Sequence, residues 1–208
     1  MDLLAALRDR RLLAIVRGSD PDAALTTVLT LADEGIDLVE VSLTGRDALD
    51  VIARARAALG PDAPLGAGTV LTADDARAAR RAGAAFLVTP AVSDGIATGR
   101  ELGLPVLAGV MTPTDVLQAL RLGADALKLF PAGGPGHLRD LRGPFPDLPF
   151  VPVGGVDARA AAGYLRAGAT AVGVGSPLIG DAAAGGSIAA LRERARAFLE
   201  VVREEVRP

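Results

Sequence analysis

Cysteine is absent from this chain of 208 residues, which excludes disulfides and thiolate chemistry. Tryptophan is absent too, and aromatics make up only 3% of a composition that is half apolar and rich in glycine. Such a chain suits close-packed α/β layers better than a β-sandwich, whose strands favour aromatic and β-branched residues. Histidine occurs once, at His137, with no cysteine or second histidine to complete a metal-ligand set. It reads as a solvent-facing loop or helix residue, and neither a metal nor a cofactor is expected. The net charge of −3 gives no global field to attract nucleic acid or an anionic membrane. No uncharged apolar run approaches the ~20 residues needed to span a bilayer. The stretch Met1 to Arg10 is too charged, and its apolar part too short, for a secretory signal. A cytoplasmic protein acting on a small molecule is the expectation.

Lysine is nearly absent as well. Lysine and arginine together number 22, yet only Lys128 is lysine. Arginine replaces lysine in most surface ion pairs, but its guanidinium stays charged and cannot attack a carbonyl as a free amine. Lys128 stands in the apolar run Ala126-Leu127-Lys128-Leu129-Phe130-Pro131, where an ordinary surface lysine does not belong. It is therefore a candidate Schiff-base nucleophile; the competing explanation is a compositional accident in an arginine-rich chain.

One pattern repeats along the chain: a helical segment ends at a glycine, a short apolar strand follows, and a polar or Gly/Thr/Pro turn opens the next helix. Glycines 35, 83, 103, 123 and 168 mark five such joints. Strands are expected at 12–17, 37–42, 65–69, 86–89, 106–110, 126–130, 150–154 and 171–174, with an extra helix before the first. Continuous apolar strands joined through helices must pair in parallel, buried on both faces. Eight such units close into a (β/α)8 TIM barrel, an α/β fold. An open dinucleotide-binding sheet is disfavoured because Arg17-Gly18-Ser19-Asp20-Pro21 lacks the G-x-G-x-x-G fingerprint. No composition break divides the chain, so 1–208 is read as a single domain, with 182–187 as a loop before the last helix.

In such barrels the chemistry collects at the carboxyl ends of the strands. Alternation along a strand puts Leu38, Glu40 and Ser42 on one face, and Ala126, Lys128 and Phe130 on another. If both faces point inward, a carboxylate and an amine meet at the barrel mouth. They form either a catalytic pair or a structural ion pair, and a buried pair is seldom kept for stability alone. Burial disfavours a charged amine, and Glu40 would shuttle protons around it. Gly154-Gly155 follows the seventh strand and Gly175-Ser176 the eighth. Together these glycines form either an anion cradle of backbone N–H groups or simply two tight turns.

Four motifs in this order resemble the 2-keto-3-deoxy-6-phosphogluconate (KDPG) aldolases and their phosphogalactonate (KDPGal) and 4-hydroxy-2-oxoglutarate relatives. They are Val39-Glu40-Val41-Ser42-Leu43, Gly66-Ala67-Gly68-Thr69-Val70-Leu71, Ala126 to Ala132, and Val153-Gly154-Gly155-Val156 followed by Gly175-Ser176. The resemblance implies a class I, metal-free aldolase on a (β/α)8 barrel, as a homotrimer, acting on a phosphorylated keto acid. It implies Lys128 as the Schiff-base lysine and Glu40 as the general acid/base. Thr69 and Pro90 would line the pyruvate pocket with Phe130 beside the lysine, and Gly154, Gly155, Gly175 and Ser176 would hold phosphate. Two departures stand out. Thr44-Gly45 replaces an Arg-Thr pair after the glutamate strand, with Arg46 two residues late, so Arg17 is the candidate cation. Ala132-Gly133-Gly134-Pro135 replaces the usual Ala-Glu, and the glycine motifs are closer to the phosphogalactonate relatives. Two other functions remain open on the same architecture: a phosphosugar isomerase or epimerase using Glu40 as base, and a phosphate-ligand-binding barrel without catalysis.

Overall fold

A computed structural model describes residues 1–205. Eight strands alternate with helices: β1 (Leu12–Val16), β2 (Val39–Ser42), β3 (Leu65–Gly68), β4 (Phe86–Val88), β5 (Val106–Val110), β6 (Ala126–Leu129), β7 (Phe150–Pro152) and β8 (Val172–Val174). The helices are α1 (Leu3–Arg10), α2 (Pro21–Asp33), α3 (Ala48–Leu59), α4 (Ala73–Arg81), α5 (Asp94–Glu101), α6 (Pro113–Leu122), α7 (Pro135–Arg142), α8 (Ala158–Arg166), α9 (Ser176–Ile179) and α10 (Ile188–Glu204).

Every strand pairing is parallel, in the order β7-β6-β5-β4-β3-β2-β1-β8. A bridge between Val153 and Gly173 and a bond from Thr170 N–H to the Phe150 carbonyl close the ring. The expected (β/α)8 barrel with its extra N-terminal helix is present. The β7–β8 seam is its thinnest part, and Pro152 gives the reason. Val153 N–H donates to β6 at Leu129, so the neighbouring position faces β8, and proline has no N–H to offer there.

Two apolar layers hold the barrel. One fills the interior with Leu13, Ile15, Leu38, Phe86, Val88, Leu107, Val151 and Val153, and Leu3 and Leu7 of α1 plug the amino-terminal end. The other lies between strands and helices and takes the alternate residues: Leu12, Ala14 and Val16 from β1, and Leu127 and Leu129 from β6. All five joint glycines have positive φ, from 68° to 96°, as their role in ending helices requires.

All strands but β5, which spans 106–110 as expected, are shorter than the sequence suggests. Asp37 and Leu38 precede β2, and the Asp37 carboxylate is taken by Arg10. Thr69 leaves β3 by turning to φ 58°. The segment 182–187, expected as a loop, contains a single 3-10 turn at Ala182–Ala184.

Glycines on inward positions make room for large neighbours. A Cβ on Gly66 would stand 2.4 Å from two atoms of the Phe86 ring, and one on Gly173 would stand 2.5 Å from Val153 Cγ2. Gly66→Ala is therefore expected to overpack the interior and cost about 1–3 kcal/mol. The measurement is the urea midpoint, which should fall with the m-value unchanged.

Candidate active site

Arg17, Glu40, Thr69, Pro90, Lys128, Phe130, Gly154, Gly155, Gly175 and Ser176 all line one cavity of about 340 Å³ at the carboxyl ends of the strands. Its size fits a small metabolite. Each residue arrives there by strand alternation. On β1 the inward residues are Leu13 and Ile15, so Arg17 follows on the same side at the rim. On β2 Leu38 is inward, which brings Glu40 and Ser42 inward after it. On β6 Ala126 is inward, followed by Lys128 and Phe130.

Lys128 is 6% exposed and Glu40 fully buried. The Lys128 Nζ and Glu40 Oε1 lie 3.8 Å apart, close enough for strong attraction and too far for a hydrogen bond. Neither Glu40 oxygen has a hydrogen-bond partner among the described residues. Burial raises the Glu40 carboxyl above its ordinary pKa, against the opposing pull of Lys128 and then Arg17. The carboxylate lies directly over Gly68, where a Cβ would stand 2.6 Å from Oε1. A larger residue on β3 would displace the acid.

The Phe130 ring sits with its centroid 5.4 Å from Nζ, a cation–π distance, and remains 41% exposed at the mouth. Thr69 has an unusual backbone for a β-branched residue, and its left-handed turn costs about 1–2 kcal/mol. Its hydroxyl lies 2.8 Å from the buried Ser42 hydroxyl, which lies 2.9 Å from that of Thr44. This chain of hydroxyls fixes Thr69 against its strain. Pro90 is set by its neighbour: the Thr89 hydroxyl accepts a bond from Gly109 N–H at 3.0 Å, tying the turn after β4 to β5.

Arg17 is exposed at the rim and makes no ion pair among the described residues. Arg46 lines no part of the cavity; its side chain is 73% exposed and faces Asp47. Of the two arginines, Arg17 is the one that lines the cavity. Gly154 and Gly155 have φ of 113° and 65°, so both turn where side-chain-bearing residues rarely do. Ser176 opens α9, and the N–H of a first helical residue has no acceptor within the helix.

His137 is on α7, and the expectation that it faces solvent is only partly met. It is half-buried, with Nε2 3.0 Å from the Met111 carbonyl. Among the described residues there is no cluster of three or more potential metal ligands, and no helix long and apolar enough to cross a membrane. Sequence reasoning missed Ile15, Val153, Pro177, Ile179 and Gly180, which complete the cavity wall. Ile15 was available from alternation, two residues before Arg17, and Val153 from its place beside Gly154 in the glycine motif.

The KDPG and KHG aldolase family model matches residues 3–189. The chain is 37% identical over 199 residues to the 2-dehydro-3-deoxy-6-phosphogalactonate aldolase of Escherichia coli strain K12, covering 94% of this chain and 96% of that enzyme. A solved structure of native KDPGal superposes with a TM-score of 0.88 at 36% identity, covering 94% of this chain and 95% of that one. The KDPG aldolase of Legionella pneumophila, with pyruvate captured as a covalent carbinolamine, superposes with a TM-score of 0.82 at 25% identity, covering 97% and 96%.

The raised Glu40 pKa has a thermodynamic signature. Between the ordinary value of 4.5 and the raised one, the folded chain keeps a proton that the unfolded chain has released. Glu40 therefore contributes less stability as pH rises through that window, and its contribution is flat above it. Denaturant midpoints taken from about pH 4 to about pH 8 should fall for the native sequence relative to Glu40→Gln, then level off.

Proposed function

The chain belongs to the KDPG and KHG aldolase family, and from that we propose that it is a class I aldolase splitting a 2-keto-3-deoxy-6-phospho sugar acid, of the gluconate or galactonate series, into pyruvate and glyceraldehyde 3-phosphate. The observation that carries the reading is the single lysine of the chain held beside a buried carboxylate that has no hydrogen-bond partner among the described residues. In this reading the Lys128 amine attacks the C2 ketone, and the carbinolamine loses water to give an iminium. The C4 hydroxyl then gives up its proton as the C3–C4 bond breaks, its electrons passing into the iminium to form an enamine. Protonation at C3 and hydrolysis release pyruvate and restore the amine.

Each transfer needs a group that both gives and takes a proton near neutral pH. Glu40 suits the task because burial lifts its pKa and both its oxygens are uncommitted. Arg17 is the cation available to the substrate's carboxylate, and the fixed Thr69 hydroxyl is a second donor there. Gly154, Gly155, Gly175 and Ser176 are assigned to the phosphate. The reaction needs no metal in this scheme, because the iminium is the electron sink. Neither an isomerase or epimerase nor a non-catalytic binding barrel finds support in the named relatives.

The proposal includes a homotrimer in the cytoplasm. Leu71, Met111, Leu117 and Leu120 are between 37% and 51% exposed, apolar surface that a second subunit would cover. The cytoplasmic assignment follows from the substrate, a multiply charged anion that does not cross a bilayer unaided.

Borohydride reduction in the presence of pyruvate, followed by mass analysis, is the decisive experiment. The expected result is an adduct on Lys128; a protein left unmodified refutes the Schiff base. Lys128→Met should abolish turnover, and Glu40→Gln should lower kcat by about 10²–10⁴. The rise of kcat/KM with pH that reports Glu40 ionisation should lie above 4.5 and disappear in that variant. Sedimentation should give three times the 21.0 kDa chain mass, reduced by the pair Leu117→Glu and Leu120→Glu.

A further inference from the structure

One short segment, Gly175–Gly180, makes the cavity wall next to β8, and five of its six residues line the cavity: Gly175, Ser176, Pro177, Ile179 and Gly180. Its regular part, α9, is four residues long. A helix that short has no stability of its own in water, because its nucleus costs more than its few bonds return. Two features hold it in place. Leu178 and Ile179 are buried in the layer between strands and helices. From behind, Arg194 of α10 reaches across the end of the segment, Nε donating to the Leu178 carbonyl at 2.7 Å and Nη2 to the Ile179 carbonyl at 2.9 Å. The last carbonyls of a helix lack donor partners within it, and a cation suits them.

The guanidinium is pressed against the back of the wall. A Cβ on Gly180 would stand 2.5 Å from Arg194 Nη2, and Gly180 has φ 57°, so the residue between arginine and cavity has to be glycine. Arg194 is half-buried, makes no ion pair among the described residues and does not line the cavity. Lys128 and Glu40, by contrast, are held by β6 and β2, which Arg194 does not bond.

We infer that Arg194 is the positioning residue for the phosphate end of the substrate: its fork of two hydrogen bonds fixes the Gly175–Gly180 wall, and so tunes affinity for a phosphorylated over a non-phosphorylated sugar acid. The inference rests on the proposed aldolase reaction and on its phosphate site. Lysine cannot replace the fork, since its ammonium is a point charge without the planar pair of donors.

Steady-state kinetics of Arg194→Ala and Arg194→Lys, each with the phosphorylated sugar acid and with the same acid lacking its phosphate, test it. Arg194→Ala is expected to raise KM for the phosphorylated substrate about tenfold, with kcat within about twofold, the pattern of lost uniform binding. On the non-phosphorylated acid kcat/KM should stay within about twofold, and Arg194→Lys should fall between Arg194→Ala and the native sequence. Equal losses on both substrates mark a merely structural arginine and overturn the inference, as does no loss on either. Where Arg194→Ala does not fold, Arg194→Lys carries the same comparison: a loss confined to the phosphorylated acid supports the inference, and any other pattern overturns it. Native enzyme indifferent to the phosphate overturns the phosphate site and the inference together, while the borohydride adduct on Lys128 reports separately on the reaction.

Discussion

Lys128 and Glu40 face each other across 3.8 Å inside a barrel that is otherwise apolar at that level. Removing two charges from water costs several kcal/mol per ion, and attraction returns that cost only when the geometry is good and further hydrogen bonds complete it. Among the described residues they do not: neither carboxylate oxygen has a protein partner. A pair kept for stability would be tighter and better satisfied. What the arrangement does favour is easy exchange of a proton, because burial has already brought the neutral form of Glu40 closer in energy to the charged one. The interior packing serves this arrangement. Gly68 lies under the carboxylate, Gly66 makes room for the Phe86 ring in the interior, and Gly173 makes room for Val153 at the cavity wall.

Much of this is legible in the sequence because a barrel is a periodic object. Five glycines ending five helices set the repeat, and period-two alternation decides which residues share a face. That is sufficient to bring Glu40 and Lys128 to one cavity. What is not legible depends on partners far apart in the chain. Nothing near Ser42 says that its hydroxyl meets Thr69, and Gly68 looks like any turn glycine until the Glu40 carboxylate is placed above it. The lack of ligand company around His137 says nothing about the Met111 carbonyl that its ring meets in the folded chain. Strand ends are overrun for a similar reason: apolar runs continue past the last paired residue, as Phe130 does beyond Leu129.

The two halves of the site are built by different means. The half that carries Lys128 and Glu40 stands on β2 and β6, strands bonded to neighbours on both sides, so its geometry is inherited from the sheet. The other half flanks the β7–β8 seam, where Pro152 withholds a donor and pairing shrinks to a single bridge. Turns on either side of that seam have little ladder to fix them. They depend on contacts from outside the sheet: the Phe130 ring against Gly154, and the Arg194 guanidinium behind Gly180. Such parts change more freely than strands, because altering a turn or a clamp leaves the barrel intact. On the proposed reading, discrimination between related phosphorylated acids would fall to the seam side of the cavity, and the carbon–carbon chemistry to two strands that the barrel cannot form without.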